Sequence, residues 1–228
     1  NGKSDGVWTT WHDETFVKAK KMIYKNSMIV GKYIEWWKNG DQKITGKYKK
    51  NLKDGQWNYY EKGQRDRYEF YQSGELVSSY EFKYYLNGQI KEEPSFVDGI
   101  IDGRWIEFFQ NGEKSTQREY NKVIPDGKWI TWHDKTFIKA REMEYKDSLL
   151  VNEYREWLED GEEKVKGQYK KNQKDGQWIY YDPERRSRYE FYDSDSLISF
   201  YDFEYYENGQ LKEEPSFVDG IIDGRWIE

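Results

Sequence analysis

The sequence predicts an all-β fold: an elongated, twisted single antiparallel sheet of about ten tandem β-hairpins. Three observations predict it. An aromatic residue returns at Trp8, Tyr33, Trp57, Tyr80, Trp105, Trp129, Tyr154, Trp178, Tyr201 and Trp226, in steps of 23 to 25 residues. Asn-Gly and Asp-Gly pairs punctuate the intervals, and both accept the positive φ angles of hairpin turns. The segments between them are rich in Tyr, Trp, Phe, Ile and Thr, and no 3.6-residue period persists.

A second aromatic stands nine residues before every ladder position but the first: Tyr24, Tyr48, Tyr71, Phe96, Tyr120, Tyr145, Tyr169, Tyr192 and Phe217. The unit is clearest at Tyr48–Tyr60. A strand ends near Tyr48, a polar turn follows, and Asp54-Gly55 leads into a strand carrying Trp57, Tyr59 and Tyr60. Other units close their far ends at Asn39-Gly40, Asn87-Gly88, Asn111-Gly112, Asp160-Gly161 and Asn208-Gly209. Alternation along a strand sends neighbours to opposite faces. Trp105, Glu107 and Phe109 therefore share one side while Ile106 and Phe108 share the other. Both faces carry rings, so rings are expected to stack along the sheet instead of covering one conventional core.

A longer period contains the short one. Shifted by 121 residues, Asp5–Glu107 lies on Asp126–Glu228 without a gap, with 66 of 103 positions identical. The run KEEPSFVDGIIDGRWIE occurs at 91–107 and again at 212–228. The chain thus reads as a first block, 1–125, of five hairpin repeats and a second block, 126–228, continuous with it. The second copy stops two residues after Trp226, where the first goes on as FFQNG. An unfinished strand exposes a sticky edge, so the expectation is a window on a longer array, with further repeats of its own chain.

Composition narrows the function. Aromatics reach 19%, with 11 Trp and 21 Tyr, against a hydrophobic total of only 36%, which suits thin layers of buried rings. There is no Cys, so disulfides and thiolate metal sites are excluded. No apolar run approaches the roughly 20 residues of a membrane-spanning helix, so no transmembrane segment is expected. Residues 5–107 hold 17 Lys/Arg and 16 Asp/Glu; residues 126–228 hold 16 and 25. Two copies of one architecture thus differ by ten charges, +1 against −9, so charge behaves as adjustable surface and no nucleic-acid partner is expected.

His12 and His133 each occur as Trp-His-Asp, which in principle offers a general base or half a metal site. The sequence falls where sister units place Lys38-Asn39-Gly40, and no nucleophile keeps a fixed spacing to it, so a turn variant is expected. Asp98 to Gly103 lacks the dense carboxylate spacing of a calcium loop. No catalytic, cofactor-binding or metal residue is assigned, and no cofactor is expected. The ladder from Trp8 to Trp226 is expected to be structural. Trp11, Trp36, Trp37, Phe108, Phe109, Trp132 and Trp157, lying between ladder positions, are the candidates for an exposed binding surface.

GKYKKNLKDGQWNYYEKG at Gly46–Gly63 and GQYKKNQKDGQWIYYD at Gly167–Asp182 resemble the bacterial variant of the MORN repeat. The units at Tyr71–Tyr80 and Tyr192–Tyr201 depart from the pattern, lacking the Gly before the aromatic. The resemblance implies successive hairpins in one twisted sheet. It also implies scaffolding, protein contacts, membrane association or toxin neutralisation, with no shared catalytic residues. The expected function is a non-enzymatic structural or interaction protein offering an extended aromatic surface to a protein partner. Carbohydrate or cell-envelope binding through exposed Trp and Tyr is the alternative, and antitoxin-like neutralisation is suggested by the resemblance alone.

Overall fold

A computed structural model of the chain describes residues 3–183, 185–218 and 220–227, the side chains of 222 and 224–227 excepted. The described residues form antiparallel strands joined by turns, with no helix. The first eight strands are β1 (Gly6–Trp11), β2 (Lys18–Lys25), β3 (Met28–Trp36), β4 (Gln42–Lys49), β5 (Leu52–Lys53), β6 (Gly55–Glu61), β7 (Gln64–Gln72) and β8 (Glu75–Glu81). They make one sheet in the order β1-β2-β3-β4-β6-β7-β8, with short β5 pairing β4.

A twelve-stranded sheet takes the next twelve. These are β9 (Glu92–Val97), β10 (Ile100–Phe108), β11 (Lys114–Asn121), β12 (Ile124–Pro125), β13 (Gly127–Trp132) and β14 (Lys139–Lys146). After them come β15 (Leu149–Trp157), β16 (Glu163–Lys170), β17 (Gln173–Lys174), β18 (Gly176–Asp182), β19 (Arg185–Asp193) and β20 (Ser196–Asp202). A last hairpin pairs β21 (Glu214–Val218) with β22 (Ile221–Ile227). The all-β, antiparallel expectation holds, but the single sheet does not: the strands divide into two large sheets and a two-stranded one. Two compact units result, Asn1–Lys91 with Ser95–Ile101, and Glu92–Pro94 with Asp102–Glu228. Their boundary lies ahead of residue 125, where the sequence blocks meet.

The tight turns follow one recipe. At Asn26-Ser27, Lys50-Asn51, Lys122-Val123, Asp147-Ser148, Lys171-Asn172 and Ser194-Asp195, both residues take positive φ, between 47° and 70°. Two consecutive left-handed residues give the twist that matches a hairpin's strands. Five of the six, all but Lys122-Val123, also tie back to the chain about one repeat earlier. Asn51 donates its N–H to the Ile29 carbonyl (3.0 Å) and accepts the Ile29 N–H on Oδ1 (2.6 Å). Asn172 repeats this with Leu150, and Asp195 with Lys174. The opposite ends carry the Asn-Gly and Asp-Gly turns, where Asn39 Oδ1 accepts the Asp41 N–H (3.0 Å) and Asn111 Oδ1 accepts the Glu113 N–H (3.0 Å). Val123 is the misfit, a β-branched, largely exposed residue at φ 66°. Replacing Lys122-Val123 by Asn-Gly is expected to add about 1 kcal/mol of stability. An unchanged urea midpoint would refute the strain.

Glycine explains how the ladder packs. Tyr33 stands opposite Gly46 in the β3–β4 register, and the Trp57 ring lies flat on the Gly46 backbone. A Cβ at Gly46 would fall 2.2 Å from the Trp57 ring, and one at Gly167 falls 2.2 Å from Trp178. Tyr33 and Tyr48 close on Trp57 at 5.6 and 4.9 Å between centroids, as Tyr154 and Tyr169 do on Trp178 at 5.5 and 5.1 Å. Trp57 and Trp178 are the most completely buried side chains described, at 1% and 2% exposure.

The first sheet ends two strands beyond Trp57, at β8. The positive-φ residue that stands two before the ladder ring at Gly31, Gly55, Gly103, Gly127, Asn152 and Gly176 is replaced there by Ser78, which does not take positive φ. Tyr80 packs against Phe82 (5.2 Å) and Phe96 (5.5 Å). The segment after β8 leaves the ladder with Phe82 buried, is pinned by a Tyr84–Ile90 bridge, and returns as β9 with Phe96 over Phe70 (5.3 Å). Ser199, Tyr201, Phe203, a Tyr205–Leu211 bridge and Phe217 repeat the break in the second unit, where Tyr189, Phe191 and Phe203 form a buried cluster.

Candidate functional site: a cleft built twice

The break leaves a cleft of about 510 Å³ in the first unit. Its floor is the buried Phe70 ring of β7 and the half-buried Phe96 ring of β9. Tyr71 and Gln56 form the walls, and Asp54 and Asp98 stand at the rim. Asp98 and Gly99 form the β9–β10 turn, at φ 48° and 80°, which is laid directly onto Phe70. A Cβ at Gly99 would come within 2.9 Å of the Phe70 Cβ and 2.6 Å of Ser78 Oγ, so only glycine fits both the angle and the approach. Ser78 Oγ donates to the Gly99 carbonyl (2.8 Å) and fixes the turn.

The second unit has the same cleft at the 121-residue offset. It measures about 400 Å³ and is lined by Asp175, Gln177, Phe191, Tyr192 and Phe217, with Asp193 where the first has Gln72. Gly220 is buried against Phe191, and Ser199 Oγ donates to its carbonyl. Each cleft also takes one aliphatic residue from the last strand of its sheet, Val77 of β8 or Ile198 of β20, both more than half exposed.

Behind each cleft lies a caged lysine. Lys53 Nζ sits 4.6 Å from the Trp57 ring, 5.4 Å from Tyr59 and 4.4 Å from Tyr71, and donates to the Tyr59 and Tyr71 hydroxyls at 2.7 and 3.1 Å. Glu69 completes the cage at 3.7 Å. Lys174 repeats it with Trp178, Tyr180 and Tyr192 at 4.3, 5.7 and 4.7 Å. Ring faces and a carboxylate together stabilise a desolvated cation.

Burial alone would raise the Glu69 carboxyl, but hydrogen bonds from Tyr59, Arg67 and Tyr71 outweigh it and bring it down from 4.5 to about 2. Burial pushes the Tyr59 hydroxyl up, helped by its bond to Glu69. A carboxyl held lower in the folded chain than in the unfolded one adds stability above the unfolded value, near 4.5, which disappears as pH falls through about 2. Glu35, Glu156 and Glu190 are lowered as well, so stability is expected to fall across that window. Glu69→Gln should flatten the fall by up to about 3 kcal/mol. Urea midpoints at pH 7, 4 and 2.5 check it; a variant as acid-sensitive as the parent overturns it.

The ladder residues do not share one environment. Tyr33, Trp57 and Trp178 are buried, Tyr80, Trp105, Trp129, Tyr154 and Tyr201 are half-buried, and Trp8 is 49% exposed. The Trp226 side chain lies outside the described residues. Of the expected surface residues, Trp11 (55%) and Trp37 (40%) are exposed; Trp36, Phe108, Phe109, Trp132 and Trp157 are half-buried, Phe109 against Phe137. His12 and His133 each donate from Nε2 to a carbonyl one repeat on, Trp36 (3.0 Å) and Trp157 (2.9 Å), and so tie their turns to the next strand. Among the described residues no group of three or more His, Cys, Asp or Glu could hold a metal ion. None of them forms a helix long and apolar enough to cross a membrane.

Sequence reasoning missed the cleft. Phe70, Phe82, Phe191 and Phe203 carry no motif; the missing Gly before the aromatic in the units Tyr71–Tyr80 and Tyr192–Tyr201 was the available signal.

No family model matches the chain, and no curated protein matches it. Among solved structures it is similar to a crystal structure of TcdB2-TccC3-TEV, at 10% identity and a TM-score of 0.23. That match covers 93% of this chain and 14% of the other, so the chain spans about a seventh of that protein's length.

Proposed function

We propose that the chain is a non-enzymatic interaction protein: an array of tandem hairpin repeats of the bacterial MORN-variant type, whose surface engages a protein partner. The observation that carries this is the cleft built twice from the same residues. Each floor is a clamped aromatic cluster and each rim is polar, the anatomy of a site for an anchoring side chain.

A photo-crosslinking residue at Gln72 should yield discrete protein adducts in the cells that make the chain, and one at exposed Lys62 should not. Equal labelling from both positions would sink the reading. A second reading, carbohydrate or envelope binding, is favoured by the exposed Trp11 and Trp37. It requires their fluorescence to respond to glycans, and a response unchanged by Trp11→Ala with Trp37→Ala would dismiss it.

A further inference from the structure

We infer that each cleft receives a basic side chain, arginine or lysine, from a short segment of the protein partner; this rests on the protein-binding reading above. The chain itself shows what its aromatic clusters hold. Lys53 and Lys174 occupy cages of three rings, Arg67 lies over Tyr59 (4.0 Å), Arg65 over Phe82 (4.7 Å), Arg186 over Phe203 (4.9 Å) and Arg188 over Phe200 (4.9 Å). Among the described residues no cation lies over Phe70, Phe96, Phe191 or Phe217. These are the floor rings of the two clefts; the wall rings Tyr71 and Tyr192 already face Lys53 and Lys174.

The rims have the complementary charge. Asp54 and Asp98 border the first cleft, Asp175 and Asp193 the second, and no Lys or Arg lines either. None of the four carboxylates has an ion-pair partner among the described residues, although Lys and Arg pair with carboxylates along both sheets, as Lys43 does with Glu35, Arg67 with Glu69 and Arg155 with Glu163. An aromatic floor beneath carboxylates suits a guanidinium or an ammonium on an aliphatic stem better than a small hydrated ion. The volumes fall in the range for a small ligand or a few side chains. Val77 and Ile198, exposed at the sheet edge, offer an apolar neighbour for the stem or the next residue of the segment.

The test titrates the full chain into fluorescein-labelled octapeptides with an Arg-Leu-Arg centre, read by anisotropy, beside peptides carrying citrulline in place of both arginines. Citrulline keeps the shape and removes the charge. The arginine peptide is expected to bind about tenfold tighter, and Asp54→Asn, Asp98→Asn, Asp175→Asn and Asp193→Asn together should erase that difference. Asparagine tolerates the left-handed angle at residue 98, so the fold is retained. Equal affinity for the citrulline peptide, or a preference that survives the four substitutions, overturns the inference and leaves protein binding standing. Silence of every peptide, with specific adducts still forming at Gln72, also overturns it. Silence of both overturns the protein-binding reading with it.

Discussion

Trp57→Ala is expected to remove about 4 kcal/mol of stability, the largest effect of any single truncation in the first unit. The ring is 1% exposed and touches every part of its neighbourhood: the Gly46 backbone beneath, Tyr33 and Tyr48 at its sides, Tyr71 at its far edge and the Lys53 ammonium above. Deleting it leaves a cavity that a hydrogen-bonded sheet cannot collapse around, and it strips the main face from a half-buried cation. Trp57→Phe should cost much less. The indole N–H is buried without a hydrogen-bond partner, so losing it sheds a penalty along with the ring volume. Trp178→Ala should match Trp57→Ala, since its ring is 2% exposed and its cage is the same. Urea unfolding followed by circular dichroism measures all three. A Trp57→Ala loss below about 1 kcal/mol would mean that the ring is not the keystone described.

Gly46→Ala should cost about 3 kcal/mol although it adds a single methyl group. At this position the backbone angle is not the obstacle, because Gly46 does not take positive φ. The obstacle is the ring: a Cβ would sit 2.2 Å from one Trp57 atom and 2.4 Å from another, and the ring is held from both sides. Either the ring leaves its slot or β4 moves away from β3. A double-mutant cycle isolates the cause. Gly46→Ala combined with Trp57→Leu should lose clearly less than the sum of the two changes, because a smaller side chain makes room for the methyl. Strict additivity would assign the cost to strand propensity alone.

Much of this fold was legible before any coordinates. The 23-to-25-residue ladder named the strands that carry Trp57 and Trp178, and the Asn-Gly pairs marked one row of turns. The other row was harder to place. Lys50-Asn51 and Lys122-Val123 adopt the left-handed pair without glycine, since the turn is enforced by pairing on both sides and not by intrinsic preference. Asp54-Gly55 therefore read as the approach to a strand, when it is a kink after a two-residue strand, with Gly55 at φ 71°. The division into sheets was signalled and unread. Ser78 in place of glycine is a single letter, and its meaning depends on a backbone kink that exists only in three dimensions. The cleft was less legible still, because Asp54, Phe70 and Asp98 meet only once the Asp98-Gly99 turn has folded over β7.

The ties between successive turns carry a consequence for how such a chain changes length. Asn51 grips Ile29, Asn172 grips Leu150 and Asp195 grips Lys174, each reaching back one repeat. Loss of half a repeat leaves the turns on both sides gripping nothing, whereas loss of a whole one re-creates every tie. Growth and shrinkage are therefore quantised. Inside a ladder the quantum is one hairpin repeat, but the serine that stands where the ladder ends, Ser78 or Ser199, recurs only once in 121 residues. The smallest addition that restores ladder, break and cleft together is the whole block, the step by which this sequence has been copied.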